Sequence, residues 1–265
     1  MDVRSRALKP GEVIEVIVTP PVPLTTIAAT VGGRAFPLWK RTPTTWRGLV
    51  GLDVEQPPGP LDLVVGGTPA SGPPLSRTVT LTIAPSTFNE RHLTVAPRYV
   101  EPPASALPRI EREAKALRAI YDAVSTERAP GHFVAPVNHR RSSPFGSRSI
   151  FNGVPRERHS GLDFASPSGA VIRAPAAGRI ALVGPLYFTG NTVVIDHGEG
   201  LYSILAHLQR ASVREGQLVV QGETIGLVGA TGRATGPHLH WSVRLGGTRV
   251  DPASVLDLLK PPATR

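Results

Sequence analysis

The chain has 265 residues, 40% hydrophobic and 18% charged, which allows two modest domains with ordinary cores. It contains no cysteine, so disulfides and thiolate metal sites are excluded and any zinc must be held by imidazole and carboxylate. The net charge is +9, but aromatic residues at 5% are too sparse for a base-stacking platform, and no apolar run reaches the ~18–20 residues of a membrane span, so neither nucleic acid nor a transmembrane segment is expected.

Residues 1–100 read as a β domain. Strand candidates are Val13–Val18, Thr25–Val31, Thr45–Gly51, Leu61–Val65 and Arg77–Ile83, separated by Pro/Gly clusters at Gln56–Pro60 and Ser71–Pro74. That spacing predicts a small immunoglobulin-like sandwich with Trp39 and Trp46 in its core. Residues 101–131 read as a linker carrying one amphipathic helix. Ile110, Ala114, Leu117, Tyr121 and Val124 form an apolar stripe, Pro108 suits the first turn, and Ala129-Pro130 ends the pattern. The helix is expected to brace a neighbouring domain. Residues 132–265 read as a glycine-rich β-sheet domain, making the whole chain mainly β.

The chemistry concentrates in that last segment. His159-Ser-Gly-Leu-Asp163 offers an imidazole and a carboxylate four residues apart, with Gly161 arguing for a loop that enters a strand at Leu162-Asp163-Phe164. His238-Leu-His240 runs into Trp241-Ser-Val-Arg-Leu245, whose alternation reads as a strand, so both imidazoles should project from one face. Together the two pieces can supply three N/O ligands of a catalytic zinc site with one histidine to spare for acid/base work. His207, in the apolar run Leu201–Leu208, is a second spare imidazole or a hydrogen-bonded core residue. His132 and His139 read as incidental.

These motifs resemble the lysostaphin-type zinc endopeptidases of bacterial cell-wall peptidoglycan. The likeness rests on Arg158-His159-Ser-Gly-Leu-Asp163-Phe-Ala, Gly190-Asn-Thr-Val-Val-Ile-Asp196-His197-Gly198, Ala206-His207-Leu208 and Thr235-Gly-Pro-His238-Leu-His240. The glycine-punctuated stretch Val219–Gly232 adds to it, and the likeness covers roughly residues 145–257. The resemblance implies a lysostaphin-type catalytic domain with one Zn2+ per chain, ligated by His159, Asp163 and His240, and with His207 and His238 as the catalytic pair. It further implies hydrolysis of peptide cross-links, most readily D-alanyl–diaminopimelate bonds, by metal-activated water. The partners are then peptidoglycan peptide stems and, given the basic charge, an acidic wall or outer-membrane surface. Phe145-Gly-Ser-Arg148 matches the family's lead-in and makes Arg148 a candidate substrate contact. Leu205, Ala234 and Trp241 stand where relatives often carry Tyr, Ser and Phe. A wall enzyme works in the periplasm or otherwise outside the cytoplasm. Met1-Asp-Val-Arg-Ser-Arg6 lacks an apolar signal stretch, so an export segment is expected upstream of this sequence. Two other readings share the fold: a non-enzymatic activator of wall hydrolases, and a latent enzyme covered by its own N-terminal domain.

Overall fold

The computed structural model describes residues 1–126 and 130–261. It divides into two compact units, Met1–Thr87 and Phe88–Arg265. Among the described residues no helix is long and apolar enough to cross a membrane.

The first unit is built from two antiparallel four-stranded sheets. One runs, in spatial order, Asp2–Ser5, Val13–Val18, Trp46–Gly51, Trp39–Lys40; the other runs Arg34–Pro37, Leu24–Val31, Gly59–Pro69, Leu75–Ile83. Val13, Ile14, Val16, Ala29, Val50 and Leu63 are fully buried; the Val13–Val18 strand is buried on both faces at its start, so it shows no inside-outside alternation. All five expected strands are present. The added ones are edge strands of two to four residues, too short to carry an alternation pattern. Trp46 is buried in the core, whereas Trp39, on a two-residue edge strand, is only half-buried.

In the second unit the helix spans Leu107–Asp122 with Pro108 in its first turn. Tyr121, Leu117 and Ile120 pack on Val194, Tyr202 and Ile204 of the sheet. Arg109 pairs with Glu113 at 2.6 Å and also donates to the Pro185 carbonyl, while Glu113 accepts from the Tyr187 amide at 2.7 Å. The helix is therefore a brace on the sheet of this unit. It ends one residue before Ala123, which is extended, so Val124 falls outside the stripe and is exposed. The expected stop at Ala129 lies outside the described residues.

Residues 88–100, read from sequence with the N-terminal domain, make their contacts inside the second unit. Glu90–Leu93 pairs in parallel with Arg148–Phe151, and Val95 and Val100 bury against Phe151. A four-residue polar strand whose partner lies about sixty residues away leaves no local signature.

The main sheet of this unit is antiparallel. Seven of its ten strands follow the order Arg141–Ser143, Gly161–Phe164, Leu239–Leu245, Leu201–Ala211, Gly190–Asp196, Gly178–Leu186 and Leu218–Val219, with Val171–Arg173, Thr224–Val228 and Thr248–Val250 paired off this path. Leu201–Leu208 is buried at every position, because the strand is central and covered on both faces. The register sets Asp163 opposite His240 and His240 opposite Ala206. One row across three strands thus ends in Asp163, His240 and the neighbour of His207.

Candidate metal centre

Three donor atoms converge on that row. His159 Nε2 lies 3.0 Å from Asp163 Oδ1 and 3.0 Å from His240 Nδ1, and His240 Nδ1 lies 2.9 Å from Asp163 Oδ1. His159 sits in the turn between the strands Val154–Arg158 and Gly161–Phe164, as a loop residue at the mouth of a strand. Its Nδ1 faces the Pro144 carbonyl at 3.0 Å. A carbonyl can only accept, so Nδ1 carries the proton and Nε2 turns a lone pair towards the carboxylate. Two acceptors 3.0 Å apart repel unless a cation or a shared proton lies between them. Two imidazole nitrogens and one carboxylate, close enough for one ion to meet all three, are a donor set suited to zinc.

The electrostatics agree. Burial alone would raise the Asp163 carboxyl, but the His159 and His240 imidazoles beside it more than offset this and hold the group well below the usual carboxylate range. Burial pulls the His240 pKa down, against the opposing pull of the Asp163 carboxylate. Asp163 is thus held as a carboxylate and His240 as a neutral imidazole, the forms that bind a divalent cation.

Gly161 explains why a glycine separates His159 from Asp163. A Cβ there would lie 2.5 Å from the Trp241 carbonyl and 2.7 Å from His240 Cε1. The His240 ring occupies the space a side chain would take. Gly161→Ala is expected to push the two paired strands apart, tilt His240, and weaken zinc affinity by about 10-fold or more. Competition against a chromophoric chelator checks this; wild-type affinity would mean that the sheet absorbs the methyl without moving the ring.

His207 and His238 face the same cavity. Their ring centroids are 4.8 Å apart, and His207 is 5.9 Å from His240. The Leu239–Leu245 strand begins one residue after His238, which is held by a lone bridge to Gly229. The expected common projection of His238 and His240 into one site is nevertheless what the backbone delivers, since all five site residues line one cavity of about 620 Å3. His207 adopts a left-handed φ of +64°, an uncommon conformation for histidine that turns its ring out of the strand. Its Nδ1 faces the Thr231 carbonyl at 2.8 Å, and His238 Nδ1 faces the Gly236 carbonyl at 2.9 Å. Both rings therefore carry their proton on Nδ1 and present a bare Nε2. Burial pushes the His207 pKa down to about 3, with His240 and His238 adding like-charge repulsion.

The glycine-punctuated stretch serves this orientation. A Cβ on Gly190 (φ +63°) would meet Thr231 Oγ1 at 2.3 Å, and one on Gly232 (φ +73°) would meet the Gly190 amide at 2.4 Å. Backbone packs on backbone there, which holds the Thr231 carbonyl against His207.

Sequence reasoning missed three arginines, Arg91, Arg156 and Arg233. Arg91, on the Glu90–Leu93 strand, places its guanidinium 3.6 Å from Asp163 Oδ2 and donates to Ser143. Arg233 lines the same cavity, as do Arg156 and Arg158. Arg148 is exposed and lies outside the lining of that cavity, and His132 and His139 are exposed away from it. Only the motif position of Arg158, next to His159, could have signalled this basic wall.

Residues 157–252, the strands that carry these ligands, match Peptidase family M23. Over 126 residues the chain is 44% identical to the DD-carboxypeptidase/endopeptidase Mpg of Neisseria meningitidis serogroup B, covering 47% of this chain and 29% of that protein. Over 141 residues it is 33% identical to the peptidoglycan DD-endopeptidase ShyB of Vibrio cholerae serotype O1, covering 53% of this chain and 32% of that protein. The chain thus spans less than a third of the length of these curated relatives. A crystallised Pseudomonas aeruginosa chain described as a peptidase M23 superposes with a TM-score of 0.72 at 33% identity, covering 95% of each chain. With that correspondence running the length of both chains, and the family match lying over the strands that gather His159, Asp163 and His240, this chain belongs to peptidase family M23, the lysostaphin-type metallopeptidases that its motifs resemble.

Proposed function

We propose that the chain is a zinc-dependent endopeptidase that hydrolyses peptide cross-links of bacterial peptidoglycan, the D-alanyl–diaminopimelate bond foremost. His159, Asp163 and His240 would hold one zinc. Bound there, zinc supplies Lewis acidity that polarises a carbonyl and brings the pKa of water towards ~7. The chain's own residues do the rest. His207 and His238, each pinned through Nδ1–H to a carbonyl, aim Nε2 at the reacting centre. One accepts the proton of the attacking water; the other, once protonated, donates a hydrogen bond to the tetrahedral oxyanion or a proton to the leaving amine. The cavity around them is large enough for a peptide segment.

The single observation that carries this reading is the convergence of three ligand atoms beside two identically oriented imidazoles. The substrate class is supported by the relatives named DD-endopeptidases. Such a substrate puts the working enzyme outside the cytoplasm, where the basic surface would meet an acidic wall. The test is digestion of purified cross-linked sacculi by zinc-loaded protein. Cross-linked dimers should fall and monomers rise, an EDTA-treated sample should be inactive, and zinc should restore it. Intact dimers after prolonged digestion would refute the reading.

A further inference from the structure

Four arginines (Arg91, Arg156, Arg158 and Arg233) line the cavity, against two carboxylates, Asp163 and Glu157. Asp163 is engaged by His159, His240 and Arg91. Glu157 extends into solvent and pairs with Arg249 at 3.7 Å. The wall therefore carries more guanidinium groups than carboxylates.

Arg233, of the four, stands against two aromatic rings. Its guanidinium carbon lies 4.8 Å from the Phe151 ring centroid and 4.9 Å from that of Phe188, so two aromatic rings flank it. Among the described residues no carboxylate forms an ion pair with it. Arg156 stands nearby on the same wall; it donates to the Val100 carbonyl, while its Nε is buried without a hydrogen-bond partner. Burial lowers the Arg233 pKa and Arg156 adds like-charge repulsion, which the Glu157 carboxylate opposes only in part, so an incoming anion would relieve the remainder. A part-buried cation held between rings, beside an unsatisfied donor, is costly unless something negative completes it.

The position gives this a direction. Arg233 lies between Thr231, whose carbonyl orients His207, and Gly236, whose carbonyl orients His238. An anion bound at Arg233 is therefore fixed by the same loop that fixes the two imidazoles. A planar guanidinium with free edges matches a carboxylate best.

Building on the endopeptidase reading above, we infer that Arg233, seconded by Arg156, is a carboxylate-binding subsite that selects peptide cross-links bearing a free carboxylate next to the scissile bond over neutral ones. The chain would then act on anionic stem cross-links and discriminate against glycyl bridges.

Two synthetic cross-linked peptides test this, identical except that the carboxylate flanking the scissile bond is free in one and carboxamide in the other. Zinc-loaded wild type should show a kcat/KM ratio of carboxylate to amide of about 10 to 100, the range for a hydrogen-bonded charge pair. In Arg233→Gln the ratio should fall to about one, and in Arg233→Lys to an intermediate value. Zinc content and melting temperature report whether each variant is folded. A wild-type ratio near one, or a ratio unchanged in Arg233→Gln, overturns the subsite. If wild type cleaves neither peptide, the endopeptidase reading fails separately, and the subsite is read by calorimetric binding of both peptides. Tighter binding of the carboxylate form, lost in Arg233→Gln, supports it; equal binding or no binding overturns it.

Discussion

Asp163→Ala protein should be purified with almost no zinc, while wild type carries about one zinc per chain, and sacculus hydrolysis should fall by about 10^3-fold or more. The substitution removes the carboxylate of the three donors and leaves two imidazoles. It also strips Arg91 of the carboxylate 3.6 Å from its guanidinium, so an unpaired positive charge then faces an incoming cation. Losing several kcal/mol of charge stabilisation at the reacting carbonyl translates to a drop of that size. Metal analysis after dialysis reads the outcome, with far-UV circular dichroism to show that the sheet persists. Zinc bound to Asp163→Ala at wild-type stoichiometry and affinity would remove Asp163 from the ligand set.

His207→Asn should separate chemistry from metal binding. Zinc content should stay at about one per chain while kcat/KM drops by about 10^2- to 10^4-fold, the usual contribution of a positioned acid/base group. Asparagine is the cleaner replacement because φ at this position is +64°, a left-handed conformation that Asn tolerates better than Ala. His207 is almost fully buried and close to His240 and His238, so it stays neutral and its Nε2 remains a lone pair at working pH. Full zinc occupancy with unchanged hydrolysis would exclude His207 from proton transfer.

The site was legible in the sequence where its geometry is local. His238 and His240 lie two apart at a strand entrance, so period-2 alternation puts their rings in one cavity. The His159-to-Asp163 spacing, with Gly161 inside it, marks a loop feeding a strand, and the Gly161 contact with His240 supplies the steric reason. The brace helix was legible for the same reason: Ile110, Leu117 and Tyr121 recur with its own period. The stripe overshot at Val124, because the backbone turns extended at Ala123.

Arg91 and Arg233 were not legible. Arg91 reaches Asp163 only because Glu90–Leu93 docks in parallel beside Arg148–Phe151, a pairing between segments that share no local pattern. Arg233 gains its setting from Phe151 and Phe188, which approach it from different parts of the chain. Arg148 had the motif position but not the placement.

By itself, then, the sequence determined which side chains can do the chemistry: three oxygen and nitrogen donors, two further imidazoles, no thiol, and the short-range periods that make strands and one helix. The tertiary structure alone decided how they meet. Strand register sets Asp163 across from His240, glycine-on-glycine backbone packing aims the Thr231 carbonyl at His207, and long-range pairing brings an arginine wall to the cavity. Spacing along a chain encodes local periodicity, whereas ligand convergence and charge around a cavity depend on contacts between segments far apart in sequence.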